Sequence, residues 1–95
     1  MTQTCIVWDE AKRLKNLADH GVDFVDVDDT FFMDDRAITL EDKDHHEQRF
    51  VSVAMNGFGS ILFVCYAYEP NGDIGLIHAR EADAKQKKQY SKGKL

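Results

Sequence analysis

The sequence predicts an α+β domain, an antiparallel meander sheet of about four to five strands with two N-terminal helices and one C-terminal helix. Three observations predict it. Ala11, Leu14, Leu17 and Ala18 recur at helical spacing near the start. Runs of β-branched and aromatic residues, separated by short turns, fill the middle from Arg36 to Arg80. A lysine-bearing helical segment, Glu81 to Tyr90, follows them. The 95 residues form a single domain, 1–95, without repeat or linker. A chain of this size buries roughly 60–65% of its unfolded surface, enough for one core.

Each element has its own signal. Ile6-Val7-Trp8 is a short apolar run that reads as an edge strand. Asp9 follows as an N-cap, and Glu10 places a carboxylate in the first turn, where the helix dipole favours it. The first helix runs to Asp19 and ends at His20-Gly21, with glycine suited to the left-handed position beyond a helix. Its stripe is expected to pack on the sheet. Asp23 to Phe32 reads as a second helix carrying Phe24, Val27, Phe31 and Phe32 on one side, although Val25, Val27 and Thr30 are β-branched.

Asp34-Asp35 is a turn signal, and Arg36 to Leu40 a short strand. Arg49 to Met55 alternates, Asn56-Gly57 marks a hairpin, and Ile61 to Tyr68 is apolar enough to be a central strand covered on both faces. Glu69-Pro70-Asn71-Gly72 turns the chain into a last strand, Ile74 to Arg80. Strict alternation places Ile74, Leu76, His78 and Arg80 on one face of it.

Charge separates the halves. Residues 1–48 hold 13 acids and 5 bases, a net of −8, and residues 49–95 hold 4 acids and 7 bases, a net of +3. The acidic total argues against broad nucleic-acid binding, while the C-terminal half allows a local anion site. Nothing resembles a membrane span or a signal peptide, so a cytoplasmic protein is expected. Cys5 and Cys65 lack metal-site spacing and read as two buried thiols. Asp42, Asp44, His45, His46 and Glu47 fit no metal motif and read as a solvated acidic loop, so no metal or cofactor is expected.

Trp8-Asp9, Lys12, Asn16, His20-Gly21-Val22 and Phe24 follow the pattern W-D-x-x-K-x-x-x-N-x-x-x-H-G-V-x-F. Arg49, the apolar strand with Tyr66, and Ile77-His78-Ala79-Arg80-Glu81-Ala82 to Tyr90 follow a looser second block. In both blocks the chain resembles BrnT-type toxins. The resemblance implies a RelE-like fold and a ribonuclease toxin of a bacterial type II toxin–antitoxin pair. It also implies a BrnA-type antitoxin partner, which binds DNA and represses the shared promoter, so that DNA is met only through the antitoxin. The chain departs from the pattern at His78, where serine is usual, at Gly75, where a base is frequent, and at Gln86, where glutamate is common.

Metal-independent RNA cleavage needs a base for the 2′-hydroxyl, a cation for the phosphorane and an acid for the leaving 5′-oxygen. Arg80 is the first choice for the phosphorane because its planar fork bonds two oxygens at once; the plainer alternative is a surface ion pair with Glu81 or Glu69. Arg49 is the second cation. His78 is a base or acid, or else a packed strand histidine. Lys12, His20, Lys85, Lys88 and Tyr90 are candidates to bind RNA. Each has a plainer reading too: Lys12 paired with acids, His20 as a helix-dipole partner, the lysines as a solvated face and Tyr90 as helix packing. The rival function is a catalytically weak or inactive toxin fold that serves as an antitoxin-binding, co-regulatory module. A metal-dependent hydrolase built on the His45-His46 region is a third, weaker reading.

Overall fold

The computed structural model describes residues 4–43 and 46–92. Five strands form one sheet in the order β1-β5-β4-β3-β2: β1 (Ile6–Val7), β2 (Ile38–Asp42), β3 (Arg49–Met55), β4 (Ile61–Tyr68) and β5 (Ile74–Glu81). From β2 to β5 the chain is the expected antiparallel meander, with β4 central. The sheet as a whole is mixed. β1 pairs parallel with β5, Ile6 opposite Ile74 and Val7 opposite Gly75. No short turn joins these two strands, so nothing local imposes antiparallel pairing.

Helix α1 (Glu10–His20) has the caps its sequence foretells. Asp9 accepts from Ala11 N at 2.8 Å, and Gly21, at φ 72°, donates to Leu17 O at 2.9 Å. Its orientation is the reverse of the expected one. The stripe faces solvent, with Leu14 54% and Leu17 39% exposed, and the buried side chain of the helix is Asn16.

The second predicted helix is broken. Phe24–Asp26 is a 3-10 turn and α2 covers only Asp29–Met33. Each piece has its own aspartate cap: Asp23 accepts from Val25 N at 3.1 Å and Asp28 from Phe31 N at 3.0 Å. Carboxylates that bond nearby backbone N–H groups restart a helix, and β-branched Val27 sits at the break. The apolar side holds nonetheless. Phe24, Val27 and Phe31 are fully buried against Ala54, Leu62, Val64, Tyr66, Ile74, Leu76 and Ala79 on one face of the sheet.

Helix α3 (Ala84–Lys92) covers part of the other face, over Val53, Met55, Ile61 and Phe63. It begins three residues later than expected, because Glu81 still pairs with Leu62 in the sheet. Asp83 and Gln86 form a reciprocal cap: Gln86 N donates to Asp83 Oδ1 at 2.7 Å and Asp83 N to Gln86 Oε1 at 2.9 Å. Of the two cysteines, Cys65 is buried as expected and Cys5 is exposed. No helix among the described residues is long and apolar enough to cross a membrane.

Candidate active site

A β-bulge in β5 decides which side chains meet. His78 pairs with Cys65 and Leu76 with Tyr66, so Ile77 is one residue too many for its partner strand. An extra residue reverses the alternation beyond it. Ile74, Leu76 and Ala79 therefore face the core under the 3-10 turn and α2, while His78 and Arg80 point to the α3 side, where both meet Phe63. The expectation that His78 and Arg80 share a face is met. Their expected company, Ile74 and Leu76, lies on the opposite face.

Beyond the two residues that β1 pairs, the outer edge of β5 is open to α1. Asn16 fills it like a strand. Its Nδ2 donates to Ala79 O at 2.7 Å, and its Oδ1 accepts from Ala79 N at 3.1 Å. The same Nδ2 reaches Val22 O at 2.9 Å. Ala79 lies between His78 and Arg80, so this carboxamide fixes the segment that carries both. It also brings the end of α1 alongside β5: the His20 and His78 Nε2 atoms stand 3.1 Å apart, with rings at 76°. Burial, then the neighbouring His20 and Arg80, push the His78 imidazole below its ordinary value.

Arg80 leans toward the lysine-bearing helix. Its guanidinium lies 4.2 Å from the Phe63 ring centroid, and Nη1 donates to Gln86 Oε1 at 3.2 Å and Glu81 O at 3.1 Å. Neither expected carboxylate pairs with it. Lys87 takes Glu81 at 2.5 Å instead, while Lys85 and Lys88 are exposed and form no ion pair with a described residue.

Two clefts of about 370 Å³ each flank the bulge. One lies among Lys12, Lys15, Asn16, His20, Ile77 and His78. The other has Trp8, Lys12, Glu47, Glu69 and Gly75 in its wall, and Lys12 borders both.

Two expected site residues stand elsewhere. Arg49 is on the same sheet face as His78, but two residues further along (roughly 7 Å) and two strands across (roughly 10 Å). Its Nε donates to Glu47 at 3.2 Å. Tyr90, expected at RNA, is 4% exposed; its hydroxyl donates to Asp34 Oδ2 at 2.6 Å and Arg36 lies over its ring. That leaves no free ring face for a base, so Tyr90 packs α3. Asp44 and His45 lie outside the described residues, and no three potential ligands converge on a metal position among the described ones. Sequence reasoning gave Asn16 and Gln86 no role in positioning. The available signals were the position of Asn16 opposite the apolar stripe and the Asp-x-x-Gln spacing of a capping box.

The chain is thus an α+β protein of the meander-sheet class, with one helix along the sheet edge, one across its face and a histidine–arginine cluster between them. The comparisons give the family. The model described as "Ribonuclease toxin, BrnT, of type II toxin-antitoxin system" matches residues 8–86. The chain belongs to the BrnT family. A crystal structure of the Brucella abortus ribonuclease toxin BrnT superposes with a TM-score of 0.71 at 28% identity, covering 85% of this chain and 99% of that one. A search of curated proteins found no match.

Proposed function

We propose that this chain is a metal-independent, RelE-like RNA endonuclease that acts in the cytoplasm until a BrnA-type antitoxin silences it. The observation that carries the reading is the cluster on the bulged strand: His78 against His20, with Arg80 two residues on and Lys12 at the cleft. These side chains supply every part that 2′-hydroxyl attack requires.

His78 is the base. Burial, then the charges of His20 and Arg80, lower its pKa, which favours the neutral imidazole that takes the 2′-hydroxyl proton. As the 2′-oxygen bonds to phosphorus, Arg80 bonds two non-bridging oxygens of the phosphorane. The bond from phosphorus to the 5′-oxygen then breaks, with His20 giving that oxygen its proton. The products are a 2′,3′-cyclic phosphate and a free 5′-hydroxyl. Lys12, Lys85 and Lys88 hold neighbouring phosphates, and Arg49 one further along the open sheet face.

The test is RNA incubated with the purified chain in excess chelator. Cleavage with cyclic-phosphate ends, lost in Arg80→Ala, is expected. Intact RNA after exposure to folded, free protein overturns the enzymatic reading.

A second reading, an inactive fold kept for antitoxin binding and promoter control, is favoured by one contact. The Glu69 carboxylate occupies the space beside Gly75, 2.8 Å from where a Cβ would stand. An acid therefore sits where the resemblance expects a cation. Antitoxin capture without growth arrest on expression would support this reading.

A further inference from the structure

We infer that Gln86 is the positioning residue for Arg80: it holds one corner of the guanidinium, so that the opposite edge, Nε with Nη2, is the fork that meets the phosphate. This rests on the nuclease reading above. Arginine can bond two oxygens through either of two edges, Nη1 with Nη2 or Nε with Nη2. Here Nη1 is taken, by Glu81 O at 3.1 Å and by Gln86 Oε1 at 3.2 Å. With two N–H groups and two acceptors, it has none to spare. Nε and Nη2 form no hydrogen bond with a described residue.

The pose is fixed from two sides. The Phe63 ring, its centroid 4.2 Å from the guanidinium, sets the plane. Gln86 Oε1 also accepts from Asp83 N at 2.9 Å, so the carboxamide cannot flip without turning its NH2 toward two donors. Gln86 N in turn donates to Asp83 Oδ1 at 2.7 Å. The cap that starts α3 therefore fixes the acceptor that aims Arg80. A side chain rich in rotamers meets its substrate already ordered.

The acceptors are also neutral. The Glu81 carboxylate is drawn to Lys87 at 2.5 Å and the Asp83 carboxylate caps α3, so Arg80 itself bonds a carbonyl and a carboxamide. An acid at position 86 would hold the guanidinium as well and cancel its charge. A carboxamide holds it and leaves the full charge for an anion.

The probe is inorganic phosphate titrated into the full isotope-labelled chain and read at the Arg80 Nε–H NMR signal, beside RNA cleavage kinetics. Phosphate is expected to shift that signal. Gln86→Glu keeps both acceptors and serves a helix cap as well as glutamine does. Its phosphate Kd is nonetheless expected to rise about fivefold or more, and the salt slope of RNA binding to fall by about one phosphate contact. A role confined to folding moves neither. Gln86→Met, which loses the acceptor, is expected to lower kcat about tenfold with KM within about twofold. A titration that leaves Arg80 Nε–H in place overturns the inference. So does unchanged phosphate affinity in Gln86→Glu, or unchanged kcat in Gln86→Met. The phosphate arm reads Arg80 whether or not the chain cuts RNA, so failure here and failure of the nuclease reading are separable.

Discussion

The Nε2 atoms of His20 and His78 stand 3.1 Å apart, one at the end of α1 and the other just past the bulge of β5. At this separation one ring donates and the other accepts, so at least one nitrogen of the pair is unprotonated. The His78 pKa is lowered, so between its ordinary value near 6.5 and the lower folded one the unfolded chain binds the extra proton. Stability is therefore full above about pH 6.5, declines as pH falls toward the folded value, and levels off below it. Urea unfolding from pH 7.5 to 5 should show this decline, and His78→Gln should flatten it. An unchanged slope in the variant removes the pair as its source.

Arg80→Ala should lower RNA cleavage by about 10²–10³ and leave the fold intact, as judged by circular dichroism. Arg80→Lys should recover only part of the activity, because an ammonium cannot bond two phosphorane oxygens with a planar fork. Full activity in the alanine variant would remove Arg80 from the mechanism.

Asn16→Ala leaves the Ala79 N–H and C=O without their partner at a closed edge. A loss of about 2–4 kcal/mol is expected from chemical denaturation, since two buried polar groups lose their bonds. RNA cleavage should fall further than the folded fraction explains, because His20 and His78 lose their alignment. A loss within about 0.5 kcal/mol would mean that water replaces the carboxamide.

Tyr90→Phe removes the 2.6 Å bond to Asp34. Burial pushes the Asp34 carboxyl up, but hydrogen bonds from Tyr90, Met55 N and Arg36 N, with the Arg36 charge, bring it below its ordinary value. Burial and the Asp34 carboxylate push the Tyr90 hydroxyl up to about 12. The contact thus stabilises the fold between the ordinary carboxylate range and about pH 10, fading as pH rises toward 12 or drops below 4. The variant should lose about 1–2 kcal/mol in thermal or urea unfolding at pH 7, and keep its specific activity on RNA. A drop in activity at full folding would return Tyr90 to the substrate.

Gly75→Lys tests the acid in the second cleft. The lysine meets the movable end of Glu69, which can swing aside or pair with it. Cancelling that negative charge beside Lys12 should raise RNA affinity severalfold and steepen its salt dependence by about one phosphate contact. No change in the salt slope would show that RNA does not pass this cleft.

Much of the fold was legible because the signals are local. Asp9 and Gly21 cap α1, Asn56-Gly57 turns the β3–β4 hairpin, and the apolar run of β4 lies at the sheet centre, each from chemistry within a few residues. The errors came where neighbours in space override neighbours in sequence. The Asp23–Phe32 pattern reads as one helix until Asp28 caps a second start and sends its other oxygen to Gly57 N. The α1 stripe reads as core until Asn16 takes the inward position.

The candidate site divides in the same way. Arg80 and His78 were visible as a cation and an imidazole two residues apart at a strand end, and Lys12, Lys85 and Lys88 as exposed bases. His20 as the direct partner of His78, Gln86 as the acceptor for Arg80, and the withdrawal of Tyr90 to Asp34 all depend on contacts between distant segments.

By itself the sequence determined the α+β class, the meander, the family pattern and the residue types available for chemistry, because periodicity, caps and turns act over a few residues. Tertiary structure alone decided the parallel β1, the bulge at Ile77, the outward stripe of α1 and the meeting of His20 with His78. Each of these depends on hydrogen bonding or close packing between segments apart in the chain, by as much as the 68 residues from Ile6 to Ile74. No local preference encodes such pairings, because parallel strands and bulges are set by partners distant in sequence.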